Sequence, residues 1–207
     1  MYGQQQKKGG FPVKYNAPVI LTFTLVSTGV MLFSQILGPG ILSFFMVPGR
    51  GMFRFPFDLP RLVSHAIGHA NWQHLVGNFS FILLLGPILE ERYGSGLLLV
   101  MMFLTAFVTG MLNVLFFTHP LLGASGIVFM LILLISFTNV RKGEIPLTFI
   151  LIILLFLGQE IYRALAERNN ISEFAHIIGG ACGGLFGFFL GGTREKGKSV
   201  EDSIGGL

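Results

Sequence analysis

Gly123-Ala124-Ser125-Gly126-Ile127-Val128-Phe129-Met130-Leu131-Ile132-Leu133-Leu134-Ile135-Ser136-Phe137 is the stretch whose reading decides the fold. Small residues lead into an apolar run that carries no charge and stops shortly before Arg141-Lys142. In hydrocarbon no water is at hand to satisfy backbone N–H and C=O groups, so such a run must bond them within itself, as a helix. Five further apolar stretches accompany it, and the six run over Ala17–Leu37, His74–Leu89, Leu97–Phe117, Gly126–Phe137, Pro146–Leu157 and Phe174–Leu190. A span needs about 20 residues to cross ~30 Å of hydrocarbon at 1.5 Å per residue, and flanking residues complete the fourth and fifth. The expected class is an all-α polytopic membrane protein with six transmembrane helices.

Composition agrees. Of the 207 residues 52% are hydrophobic and only 12% charged, 22 are Phe, and the mean hydropathy is +0.72. An ordinary soluble domain carries about twice that share of charge. The net charge of +4 and a pI near 9.5 do not call for nucleic acid, because the Lys and Arg residues sit in short flanks between apolar runs. The single cysteine, Cys182, lies within an apolar segment and reads as a small packing residue. The division expected is a polar tail over 1–16 without a signal-peptide core, hence no cleaved leader, a six-helix domain over 17–192, and a tail over 193–207.

Orientation follows from the cations. With six spans, one side carries Lys7, Lys8, Lys14, Arg92, Arg141, Lys142, Arg194, Lys196 and Lys198; the other carries Arg50, Arg54, Arg61, Arg163 and Arg168. Nine against five places both termini in the cytoplasm. The longest connection, Gly38–Ser64, is then external, and its Met52-Phe53-Arg54-Phe55-Pro56-Phe57 reads as an element lying in the outer interface.

Polar residues inside spans are costly and mark function. Counted along ideal helices from the cytoplasmic arginines Arg141, Arg194 and Arg92, Ser125 lies ~24 Å up, His176 and His74 ~27 Å, and Asn78 ~21 Å. Three helices thus bring four polar side chains to one layer. Serine is a weak nucleophile without a base, and His176 is the histidine of the later helices, so the pair reads as a Ser–His dyad. His74 and Asn78, four apart, share a helix face and suit donation to a developing oxyanion, together with the Ser125 N–H. Each residue has a plainer reading on its own: Ser125 as a helix cap, His176 as a buried imidazole, and Gly179, Gly183 and Gly187 as a packing stripe. That stripe would also bring His176 against the serine-bearing helix.

Taken in order, His65-x3-His69-x4-His74-x3-Asn78, Glu90-Glu91-Arg92-Tyr93-Gly94-Ser95-Gly96, Gly123-Ala124-Ser125-Gly126 and Ala175-His176-Ile177-Ile178-Gly179 with Gly183 resemble the rhomboid family of intramembrane serine proteases, over about Arg61–Gly191. The resemblance implies a six-helix core, Ser125 as nucleophile and His176 as general base, with His74, Asn78 and the Ser125 amide as oxyanion hole. It implies that His65 and His69 organise the external loop and the start of the second helix, and that Glu90 and Arg92 tie that helix to its neighbours. Gly123, Gly126, Gly179 and Gly183 belong to the same motifs. Substrates would be transmembrane segments cut near the extracytoplasmic side, in a multi-pass protein of a prokaryotic plasma membrane, with no cofactor, metal or nucleic acid. Two positions depart from the family pattern: Pro60-Arg61 stands where members often carry Trp-Arg, and Phe129 where many bacterial members carry Tyr packed on the histidine. Neither removes a group that performs the chemistry.

Two other classes compete. A non-catalytic rhomboid-like protein that binds client helices is expected to lose the serine or histidine, and both are present. A zinc site on His65, His69 and His74 lacks an inward carboxylate. Substrate access is expected beside the fifth helix, from Pro146 to about Tyr162, whose packing around Phe156 and Leu157 carries no glycine until Gly158.

Overall fold

The computed structural model describes residues 14–138, 147–152, 154 and 171–190. The helices are α1 (Pro18–Leu37), α2 (Arg61–Ser64), α3 (Trp72–Tyr93), α4 (Ser95–Phe116), α5 (Ser125–Thr138), α6 (Leu147–Ile152) and α7 (Ile171–Leu190), with a 3₁₀ turn at Pro39–Phe44. Among the described residues the only β pairing is a bridge between Val47 and Leu121. Three helices, α1, α3 and α4, are long and apolar enough to cross a membrane, as expected of an all-α polytopic membrane protein. The end of the expected fifth span, including Phe156 and Leu157, lies outside the described residues, as do most of the N-terminal tail and all of the C-terminal one.

The helix ends explain the order of elements. α1 begins at Pro18, whose fixed φ suits the first helical turn. The amides of Val19 and Ile20, which have no intrahelical acceptor, donate to the two carboxylate oxygens of Glu90 at 3.0 and 3.1 Å. The same carboxylate accepts from the Ser95 hydroxyl at 2.7 Å, in the first turn of α4. One buried acid on the last turn of α3 therefore serves two helix starts. Between α3 and α4 stands Gly94 at φ +81°, a conformation that glycine adopts without strain, and its N–H closes on the Glu90 carbonyl. Arg92 sits over the Tyr93 ring at 5.8 Å.

Between lipid-exposed helices there is no hydrophobic gain from association, so close backbone approach and dispersion hold the bundle. The glycines do this. A side chain at Gly86 would collide with Ile20 of α1, and one at Gly110 with the Leu62 backbone of α2. On α7, Gly179 rests on the Gly126 backbone and Gly183 on that of Met130, one turn further along α5. Gly180 and Gly184 then meet Leu133 and Phe137. Met31, Ile82, Leu89, Leu98, Met101 and Met130 fill the space between α1, α3, α4 and α5. The connection Gly38–Ser64 is structured, with the 3₁₀ turn at Pro39–Phe44 and the short helix α2. Asp58, buried, binds Arg61 at 2.6 Å through one oxygen and the Arg54 N–H at 2.7 Å through the other.

Candidate active site

Ser125 is the first residue of α5 rather than its cap, and the bond from the Val128 N–H to the Ala124 carbonyl closes the first turn. At that position its own N–H has no intrahelical acceptor and faces outward from the helix start. The turn entering α5 is held from several sides. Gly123 stands at φ +126°, its N–H donating to the His65 carbonyl at 2.9 Å. The Ala124 N–H donates to His69 Nε2 at 3.4 Å. Leu121 pairs with Val47 in both directions at 3.0 Å, and the Asn113 amide of α4 donates to the His119 carbonyl at 3.1 Å. Arg50 N–H also reaches the Phe117 carbonyl, so the Gly38–Ser64 connection lies directly on the segment that leads to the serine.

The first two histidines of the cluster are thus committed to backbone. His65 donates from Nε2 to the Ala106 carbonyl of α4 at 3.0 Å. His69 must accept at Nε2 from Ala124, so Nδ1 carries the proton and donates to the Ile67 carbonyl at 3.1 Å. Burial holds the His65 imidazole below its ordinary range. Burial, and then the neighbouring His74, push His69 down to about 4, which keeps its accepting nitrogen unprotonated at neutral pH. Together they bind the turn before Ser125 to α4 and to the segment that follows α2.

His74 and Asn78 lie on one face of α3, whose N-cap Asn71 accepts the His74 N–H at 2.8 Å. The His74 ring lies over the Cα of Gly123, where a side chain would strike its Cε1 and Nε2. It also meets His69 edge-on at 5.1 Å between centroids. The Asn78 side chain is buried, and its amide nitrogen has no hydrogen-bond partner among the described residues. A buried donor without an acceptor costs about 1–3 kcal/mol, which makes it a feature to be explained.

His176 approaches from α7. Gly179, one turn later, presses on Gly126, and the Ala175 carbonyl lies 3.4 Å from where a Gly126 side chain would begin. Residues 175–176 therefore lie beside the Ser125–Gly126 start of α5. Phe129, one turn below Ser125, stacks on the His176 ring at 4.4 Å with the planes 9° apart, so the ring that departs from the family pattern still packs as that pattern implies. Asn113 and Asp58 were not foreseen. A buried asparagine within an apolar helix was the available signal for the first; nothing in the sequence singled out the second.

A family model, Rhomboid domain, matches residues 56–193. The chain is similar to proteins named Rhomboid protease GlpG: 26% identical over 188 residues to that of Yersinia enterocolitica and 28% over 188 residues to that of Serratia proteamaculans, in both cases covering 89% of this chain. A third, from Photorhabdus laumondii, is 30% identical over 128 residues, covering 61% of this chain and 44% of the relative. The chain spans 66% of the length of the first two.

Proposed function

Because this chain belongs to the rhomboid family, we propose that it is an intramembrane serine endopeptidase that cuts transmembrane segments with a Ser125–His176 dyad. The observation that carries the reading is the backbone contact of α5 with α7 at Gly126 and Gly179, which sets His176 beside the helix start bearing Ser125. His176 takes the proton of the Ser125 hydroxyl as the oxygen attacks the scissile carbonyl, and returns it to the leaving amine. Negative charge develops on the carbonyl oxygen during that attack, before the amine leaves. The Ser125 N–H at the start of α5, the buried Asn78 amide and the His74 ring are the donors assigned to it. Phe129 fixes the imidazole plane by stacking. Water then hydrolyses the acyl-enzyme with His176 as base. Cleavage near the extracytoplasmic side, and cytoplasmic termini, belong to the same proposal and rest on the bias of Lys and Arg between the two sides.

The test is a fluorophosphonate probe on the detergent-solubilised chain together with a transmembrane peptide substrate. Ser125 should be the labelled serine, and labelling should vanish in His176→Ala. Ser125→Ala and His176→Ala should each abolish cleavage, with the double variant no worse than either, since the two act as a unit. Turnover by a folded Ser125→Ala protein would refute the dyad.

A further inference from the structure

The external connection contains a cavity of about 500 Å³ lined by Pro48, Met52, Arg54, Phe57, Asp58 and Arg61. That volume lies within the usual range for small-molecule sites. Its charges are not balanced. Both Asp58 oxygens are used, one on the Arg61 guanidinium and the other on the Arg54 N–H. Asp58 is therefore offset by Arg61, and the guanidinium of Arg54 is left over, with no ion pair among the described residues. Around this cation, Met52, Phe55 and Phe57 are 54%, 75% and 81% exposed. Aromatic side chains exposed to that extent on a loop between two membrane-length helices suit the bilayer interface rather than water.

At that depth the abundant anion is the phospholipid phosphate. A guanidinium presents parallel N–H donors that match two phosphate oxygens, and it is more weakly hydrated than an ammonium, so it gives up water readily at an interface. We propose that this pocket binds the phosphate of an anionic phospholipid through Arg54, with Met52 and Phe57 against the glycerol and upper acyl carbons. The assignment rests on the chain's placement in a bilayer and is independent of the dyad. Because the loop also lies on residues 117–121, which lead to Ser125, an occupied pocket stiffens the roof over the proposed active site.

Native mass spectrometry of the full chain in detergent, with dioleoylphosphatidylglycerol or dioleoylphosphatidylcholine added, tests this. The expected result is one phosphatidylglycerol retained about tenfold more tightly than phosphatidylcholine, equivalent to ~1.4 kcal/mol. Arg54→Gln should remove the preference while leaving the melting temperature unchanged. Arg50→Gln, an exposed cation outside the pocket, should leave the preference intact. Equal retention of the two lipids, undiminished preference in Arg54→Gln, or equal losses in the Arg50 and Arg54 variants would overturn the site. Displacement of the lipid by excess inorganic phosphate would do so as well, because it would show a free-phosphate site. Should Arg54→Gln not fold, Phe57→Ala must weaken retention, and unchanged retention would overturn the proposal. Carbonate extraction of membranes separates the two failures: a chain that stays in the membrane without lipid preference refutes the pocket alone, and a chain that is extracted refutes the membrane placement.

Discussion

Asn78 and His69 use burial in opposite ways. The Asn78 amide nitrogen is buried without an acceptor, a penalty that a developing oxyanion would relieve. Asn78→Ala should therefore lower kcat about 10- to 1000-fold with KM little changed, measured on a transmembrane substrate; a change confined to KM would assign Asn78 to substrate positioning. His69 has all its nitrogens satisfied, but only when neutral. Its folded-state pKa of about 4 lies below the ordinary imidazole value of 6.5, so its contribution to stability is whole above about 6.5 and is lost as pH falls towards 4. Thermal unfolding followed across that window should show a falling Tm, and His69→Gln should flatten the dependence. That His74 and the Ala175–His176 turn would come to the level of the Ser125 turn was legible from depth counting, because helices convert sequence distance into height. The partners of His65 and His69 were not, since the Ala106 carbonyl and the Gly123 and Ala124 amides carry no side-chain signal and lie 41 to 58 residues away in sequence.

At the level of elements, apolar runs predicted α1, α3, α4, α5 and α7 to within a few residues. The errors fell at the ends: α3 begins at Trp72 and runs to Tyr93, beyond the expected His74–Leu89, because Asn71 caps it and the polar Glu90-Glu91-Arg92 still form its last turn. For the Gly38–Ser64 connection only the presence of an ordered element was legible, since its 3₁₀ turn, its short helix and the Val47–Leu121 bridge depend on tertiary partners. The spacing of Gly179, Gly183 and Gly187 on α7 marks a contact surface, and these three meet Gly126, Met130 and Phe137 in turn. A methyl at Gly179 would enter the Gly126 backbone, whereas one at Gly180 would touch Leu133 at 3.7 Å, an ordinary contact. Gly179→Ala should therefore destabilise the protein by about 1–3 kcal/mol and lower activity by separating His176 from Ser125. Gly180→Ala should be close to neutral in both. Thermal unfolding and cleavage rates on the pair check this, and equal effects would show that α5 and α7 adjust freely.

Across the whole molecule, the site and the external loop lie at one end and the Glu90 cluster at the other. On the orientation proposed from the cation bias, the loop is outside and the Glu90 end in the cytoplasm. Single cysteines placed at exposed Ser43 and exposed Glu91, in a Cys182→Ser background, should report this. An impermeant maleimide added to intact cells should label Ser43→Cys and spare Glu91→Cys until the membrane is opened. The reverse pattern would invert the topology and place cleavage on the cytoplasmic side.

Glu90 also sets an order of events during biosynthesis. The amides of Val19 and Ile20 find their acceptors 71 and 70 residues further along the chain. The first span must therefore leave the ribosome and wait, its leading amides without their native acceptors, until the second has emerged to its last turn. Ser95, the third partner, follows five residues later. Locking of the first helix, the turn into α4 and the seating of the second helix thus become a single late step. A nascent chain truncated before Glu90 would hold α1 as an undocked helix, and one extended a few residues past Ser95 would hold a closed unit onto which the remaining helices can be laid.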